Sequence, residues 1–280
     1  MKKRLAALLV LALSVTTIMA GCGSKNQSSE GSTAASTGST VTNEEKKEGD
    51  TFTVGFDAEY PPFGYKNDSG EYVGFDLDLA QEVCDRNGWE LVKQPVDWDS
   101  KDMELESGTI DCIWNGFTMT GREDQYTWSE PYLDNSQIFL VSAESDIKTF
   151  EDLAGKVVYV QADSAALSAL NDNEELKSSF GELTEIGDYN SAVMNLEAGA
   201  ADAVAIDSAI ATGYTKDGKV VALEKAISQE QYAIGFKLGN EKLRDQVQKT
   251  IDEMAADGTV LEIANKYAED GIPDALLIGK

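Results

Sequence analysis

From residue 51 to residue 268, short apolar runs that read as strands alternate with segments whose apolar residues recur at helical spacing. Residues 51–56 alternate as a strand does and run into a turn-rich stretch over 57–65. From Gly74 onward Phe75, Leu77, Leu79, Ala80, Val83 and Cys84 line one helical face, which Asn87-Gly88 ends. Residues 89–94 and 110–114 read as strands on either side of a short helix over 100–107. A second set follows, with strands at 156–161, 183–186, 202–206 and 220–223 and helices at 165–171, 189–198 and 208–214. Helices over 240–256 and 258–268 close the chain. This alternation predicts an α/β protein with mostly parallel sheets covered on both faces, which bind ligands at the carboxyl ends of their strands.

The two sets, 51–114 and 156–223, are each complete, and 280 residues leave room for two domains of ordinary size. Between them Gln137-Ile138-Phe139-Leu140-Val141-Ser142 is extended and apolar, and after the second set residues 231–237 are extended again. Two such crossings read as twin connections between two lobes, with the C-terminal helices returning to the first. The expected organisation is 51–136 plus 232–280 as lobe 1 and 137–231 as lobe 2.

Charge and composition narrow the function. Lys plus Arg number 23 against 50 Asp plus Glu, a net charge of −27, and the basic residues include Lys2, Lys3 and Arg4 of the leading segment. So negative a surface repels a phosphate backbone, so no nucleic acid is expected as partner. The chain has no histidine, which removes Ser-His-Asp and Cys-His catalysis and most catalytic zinc sites. No metal or cofactor is expected. Among the three cysteines there is no CxxC pair. Cys84 and Cys112 both lie in apolar patterns, which favours two buried free thiols although export would permit a disulfide.

The N-terminus carries an address. A short basic stretch at 1–4, an apolar run at 5–13 and a small-residue region up to Ala20 have the layout of an export signal, too short for a comfortable membrane span. Met19-Ala20-Gly21-Cys22 resembles a bacterial lipobox with Met in the leucine place. The resemblance implies a lipoprotein signal peptide over 1–21, cleaved before Cys22, and a lipid of palmitate-type acyl chains on the Cys22 sulfur. The alternative is an ordinary signal peptide whose first mature residue is cysteine. Residues 23–50 are rich in Ser, Thr, Gly and Asn and then in Glu and Lys, so 22–50 reads as the lipidated cysteine and a flexible tether.

Four segments carry the function: Val54-Gly55-Phe56-Asp57-Ala58-Glu59-Tyr60-Pro61-Pro62-Phe63, Val73-Gly74-Phe75-Asp76-Leu77-Asp78-Leu79-Ala80, Trp114-Asn115-Gly116-Phe117-Thr118-Met119-Thr120-Gly121-Arg122 and Tyr126-Thr127-Trp128-Ser129-Glu130-Pro131-Tyr132. With Asp152-Leu153-Ala154-Gly155-Lys156-Val157-Val158 and Ala201-Asp202-Ala203-Val204, in this order over about 51–270, they resemble the polar amino-acid type of extracellular solute-binding protein, the receptor component of ATP-driven importers. The resemblance implies a two-lobed, type II periplasmic-binding-protein-like fold with two hinge strands and a ligand cleft between the lobes.

Carried over by position, it implies that Arg122 clamps a ligand α-carboxylate, since a guanidinium fork matches two carboxylate oxygens. Thr118 would add a hydroxyl and an amide, the Gly116 carbonyl would accept from the α-ammonium, and Asp207 would supply its counter-charge. Ser164 would offer amides at a helix N-terminus. Tyr60 and Trp98 would enclose the side chain, with Asp57 facing it directly or through water. The sequence departs from the family in three places: Thr120-Gly121-Arg122 is one residue shorter than the usual spacing, Asp163 replaces a common glycine, and Gln161 stands where some relatives carry a basic residue. Taken singly, Arg122 with Glu123 and Asp124 reads as a surface ion-pair cluster and Asp207 as an N-cap, while Trp114 and Trp128 read as core aromatics.

The function implied is a lipid-anchored, monomeric receptor on the outer face of the cell membrane, not an enzyme. It would bind a free polar amino acid and deliver it to an ABC permease and its ATPase. Asp57, Glu59 and Asp163 point to a cationic or cystine-like side chain among the polar options. The alternatives are a dehydratase or lyase on the same fold, or a ligand sensor without transport.

Overall fold

The computed structural model describes residue 43 and residues 45–280. The export segment 1–21, Cys22 and most of the tether lie outside the described residues. The tether's expected end is seated on the body: the Lys46 amide donates to Gln246 Oε1 (2.8 Å), Gln246 Nε2 donates back to the Lys46 carbonyl (2.9 Å), and the Gly49 amide donates to the Gly88 carbonyl (2.7 Å). The expectation of a free leash up to Asp50 is corrected there, because these backbone groups find partners on helix Glu241–Asp257 and at the end of helix Phe75–Asn87.

The strands sort into two large sheets. The first has the order Glu90–Pro95, Thr51–Phe56, Cys112–Ile113, Gly235–Phe236, Thr127–Trp128. The second has the order Glu182–Ile186, Val157–Gln161, Ala203–Asp207, Leu133–Ser142, Val220–Ala222, with Ser228–Tyr232 also paired to Leu133–Ser142. Each sheet is parallel through its first three strands and antiparallel beyond them. The expected mostly parallel sheets are thus mixed, because the segments that cross between the lobes come back in the opposite direction and take sheet positions themselves.

Burial follows the patterns that predict it. Every residue of Ala203–Asp207 is buried, as suits a strand covered on both faces. Helix Phe75–Asn87 starts with Asp76 and Asp78 at its positive end and buries the predicted apolar face. Helices Glu241–Asp257 and Thr259–Asn265 pack on it, and Arg86 binds Asp257 at 2.8 Å. Cys84 and Cys112 are free and buried, and burial pushes both thiols up. Glu174–Ser179 is a helix beyond those that the sequence pattern predicts. Asn173 caps it by accepting from the Leu176 amide, but a helix this short, burying only Leu176, shows no period.

A close approach at Gly74 ties the small three-stranded sheet of Glu59–Tyr60, Gly64–Lys66 and Tyr72–Val73 to helix Phe75–Asn87. Gly74 has φ 145° and ψ 165°, and a Cβ there would lie 2.1 Å from the Phe63 carbonyl oxygen. Only glycine tolerates both the conformation and the contact. Gly74→Ala is expected to lower unfolding stability by at least about 3 kcal/mol, read from urea denaturation.

Candidate functional site

The predicted residues sit where strands of both sheets end. Asp57 follows Thr51–Phe56, Trp98 follows Glu90–Pro95, and Gly116 and Thr118 follow Cys112–Ile113. From the second sheet, Ser164 follows Val157–Gln161 and Asp207 ends Ala203–Asp207. Tyr60, Trp98, Gly116, Thr118, Arg122, Ser164 and Asp207 line one small cavity together with Gln161. Its volume is about 10 Å³, roughly one water, so the lobes have to part before it admits a larger solute. Asp57 is not in that lining. It lies on an adjoining cavity of about 310 Å³ that it shares with Glu59, Asp97, Trp98, Asp99 and Asp188. Gln161 stands between the two, its Nε2 donating to Asp57 Oδ2 at 2.8 Å. Burial raises the Asp57 carboxyl above its ordinary value, against the opposing Glu59 amide and the Gln161 amide group.

Asp207 holds the N-cap position of helix Ser208–Thr215 but makes no side-chain cap bond. Its Oδ1 instead accepts from Asn135 Nδ2 (2.8 Å), Gln137 Nε2 (2.6 Å) and the Tyr232 hydroxyl (2.8 Å), which holds the carboxylate toward the cleft. The Tyr60 hydroxyl is 3.1 Å from that of Tyr232, and burial keeps both phenols well above their ordinary range. The Thr118 hydroxyl donates to Glu230 Oε1 at 2.8 Å, so its proton serves the protein itself.

Opposite stands the cationic side. Arg122 has no ion pair within 4.0 Å among the described residues; its guanidinium lies 5.3 Å from the Phe117 ring centre, with Nη2 3.4 Å from the Asp163 carbonyl. Gly121 takes φ 81°, a turn that lets the short Thr120-Gly121-Arg122 segment bring Arg122 to the cavity. Asp163, at φ 53°, is neutralised by Lys101, which is buried to 1% exposure and reaches across from the other lobe. Lys101 Nζ also lies 5.2 Å from the Trp98 ring centre. Asp163 therefore does not set a bare negative charge beside Arg122. Ser164 caps helix Ala165–Asp172 by accepting from the Leu167 amide, and its hydroxyl donates to the Gln161 carbonyl (2.7 Å).

Several residues at the site escaped the sequence reading. Lys101 lies in the short helix expected over 100–107, and nothing in that local pattern marks it as a cleft residue. Glu230 had a visible sign: in Ser228–Tyr232 it shares the inward parity of Tyr232. Asp76 stands in the sequence within Val73-Gly74-Phe75-Asp76, with no sign there of its own role. It is fully buried, and its Oδ2 accepts from the Gly116 amide (2.6 Å) and the Tyr132 hydroxyl (2.8 Å), fixing the Asn115–Gly116 peptide that leads into the Gly116 carbonyl.

Residues 52–270 match the family described as bacterial extracellular solute-binding proteins, family 3. The chain belongs to that family. The L-cystine-binding protein TcyJ of Escherichia coli (strain K12) is 30% identical over 226 residues, 79% of this chain and 84% of that protein. The ABC transporter glutamine-binding protein GlnH of Bacillus subtilis (strain 168) is 30% identical over 274 residues, 96% of this chain and 98% of that protein. Among solved structures, an ABC uptake transporter substrate binding protein from Streptococcus pneumoniae with bound histidine has a TM-score of 0.75 at 31% identity, covering 77% of this chain and 91% of the other. An ancestral arginine-binding protein bound to arginine has a TM-score of 0.72 at 34% identity, with 77% and 97% covered. This solute-binding protein has the family's two-lobed type II fold, two hinge strands and a cleft between the lobes. No helix among the described residues is long and apolar enough to cross a membrane.

Burial pushes Asp76 from 3.8 up to about 7, against its bonds from Gly116 and Tyr132. A carboxyl raised in the folded state stabilises fully below its unfolded value and loses that contribution as pH rises through its folded value. Unfolding at pH 4 and at pH 7 is therefore expected to differ between the wild type and Asp76→Asn. The stability difference should move in the variant's favour by on the order of 2–4 kcal/mol over that interval, then level off.

Proposed function

We propose that this chain is a receptor for a free amino acid, with Arg122 taking the ligand's α-carboxylate and Asp207 its α-ammonium. The observation that carries the reading is the pair itself. A guanidinium from one lobe and a carboxylate from the other line one cavity, each unpaired with an opposite charge within 4.0 Å among the described residues. Thr118, the Gly116 carbonyl and the amides at Ser164 complete the main-group contacts, and Tyr60 and Trp98 enclose the side chain. Relatives named for cystine, glutamine and arginine support an amino-acid ligand with a polar side chain. The five carboxylates on the adjoining cavity favour one that ends in a cation or a second ammonium.

Receptor function, not catalysis, fits a family of solute-binding proteins. The receptor is a monomer, held by lipid on Cys22 at the outer face of the membrane, and it hands its ligand to an ABC permease driven by an ATPase. The lipobox-like Met19-Ala20-Gly21-Cys22 supports the anchor, and the relatives' description as ABC transporter components supports the delivery.

Screening the purified protein by thermal shift against the amino acids, cystine and ornithine tests the reading. A true ligand at 100 times its Kd adds about 2.7 kcal/mol of stability. Charge-assisted hydrogen bonds contribute about 1.5–3 kcal/mol each. Arg122→Ala is therefore expected to weaken binding by on the order of 100-fold or more, with little change in the ligand-free Tm. Calorimetric titration reads that loss. A screen in which no amino acid shifts the transition, or an Arg122→Ala variant with wild-type affinity, overturns the assignment.

A further inference from the structure

Glu230 adds a second carboxylate to the floor of the cleft. Its Oε1 accepts from Thr118 Oγ1 (2.8 Å), Asn135 Nδ2 (2.6 Å) and Gln137 Nε2 (2.8 Å). The same two side-chain amides donate to Asp207 Oδ1, so Glu230 and Asp207 compete for one set of donors. Both are more than nine-tenths buried, at 7% and 4% exposure. The side chains packed around them are uncharged, namely Thr118 from the loop after Cys112–Ile113, Asn135 and Gln137 from Leu133–Ser142, and the phenols Tyr60, Tyr189 and Tyr232. Arg122 lines the same small cavity as Asp207 without an ion pair to either acid within 4.0 Å among the described residues. The cleft's cations, Lys101 and Arg122, are turned to Asp163. Gln137 Oε1 is buried with no donor among the described residues, an acceptor left over beside the two acids.

Two buried carboxylates without a cation between them cannot both stay ionised at low cost. Burial first, and then the charge of Asp207, push Glu230 up to about 7. We propose that Glu230 holds a proton in the unliganded cleft and gives it up when a ligand's ammonium group settles against Asp207, so that binding exchanges one cation for another. The O–H bond of Glu230 breaks, its proton passes to solvent, and the ammonium supplies the positive charge that lets both carboxylates ionise. The inference rests on the reading that an amino-acid ammonium occupies the Asp207 side of the site. Glu230 is in this scheme a positioning residue that acts through the donors it shares with Asp207.

Linkage gives the expected numbers. Where binding expels one proton from a group titrating near 7, affinity is about tenfold tighter at pH 8 than at pH 6. The full-length protein is titrated calorimetrically with the amino acid that gives the largest thermal shift, in phosphate and in Tris from pH 6 to pH 8. The difference in apparent enthalpy between the buffers counts protons. The expected count is close to one released at pH 6, falling through about half near pH 7. Glu230→Gln is expected to release none and, whatever its affinity, to show no change across this range. An infrared band of a protonated carboxyl, present without ligand and lost with it, reads the same event on the wild type should the variant fail to fold. Wild-type binding with no proton released overturns the inference and leaves the amino-acid reading standing. Release that persists in Glu230→Gln also overturns it. Binding of no amino acid at all overturns both.

Discussion

Leu133–Gln137 and Ser228–Tyr232 pair antiparallel, with Leu133 opposite Tyr232 and Ser228 opposite Gln137. This short ladder joins the lobes, and its inward positions furnish Asn135, Gln137, Glu230 and Tyr232 to the cleft. Asp207 owes its orientation to three of these four. A shift of one residue in the pairing would turn each of them to the other face, since side chains alternate along a strand. The register of the hinge is therefore also the geometry of the proposed ammonium site.

On the opposite wall the protein balances its own charges across the gap. Lys101 pairs with Asp163, Gln161 reaches Asp57, and Glu59 meets Asn190, so each contact joins residues from different lobes. None of them consumes Arg122 or Asp207, the two charges that the proposed ligand would neutralise. Most cleft residues thus have protein partners in the closed geometry, while among the described residues Arg122 keeps its guanidinium free of an ion pair and Asp207 accepts only from neutral donors.

The sequence made the alternation of elements, the buried face of Phe75–Asn87 and the strand-end positions of the site residues legible, because each rests on a local pattern. It hid what depends on pairing between distant segments. The strand Leu133–Ser142 begins four residues before its apolar run, at Leu133-Asp134-Asn135-Ser136, because polar side chains there are wanted by the cleft. The expected extended stretch over 231–237 divides between two sheets for a similar reason: Tyr232 closes the hinge ladder and Gly235–Phe236 enters the first sheet. Lys101 was illegible because its partner Asp163 lies far off in sequence and in the other lobe, and no spacing rule foretells such a neutralisation.

The position of Gly235–Phe236 bears on the order in which the chain assembles. That two-residue strand lies between Cys112–Ile113 and Thr127–Trp128, so the first sheet has a gap until residues more than a hundred positions downstream arrive. The named strands of the second sheet all lie in one stretch of sequence, from Leu133 to Tyr232. Closing the longer loop costs more entropy before its contacts repay it. A chain emerging N-terminus first would complete its second lobe while the first still waited for its closing strand.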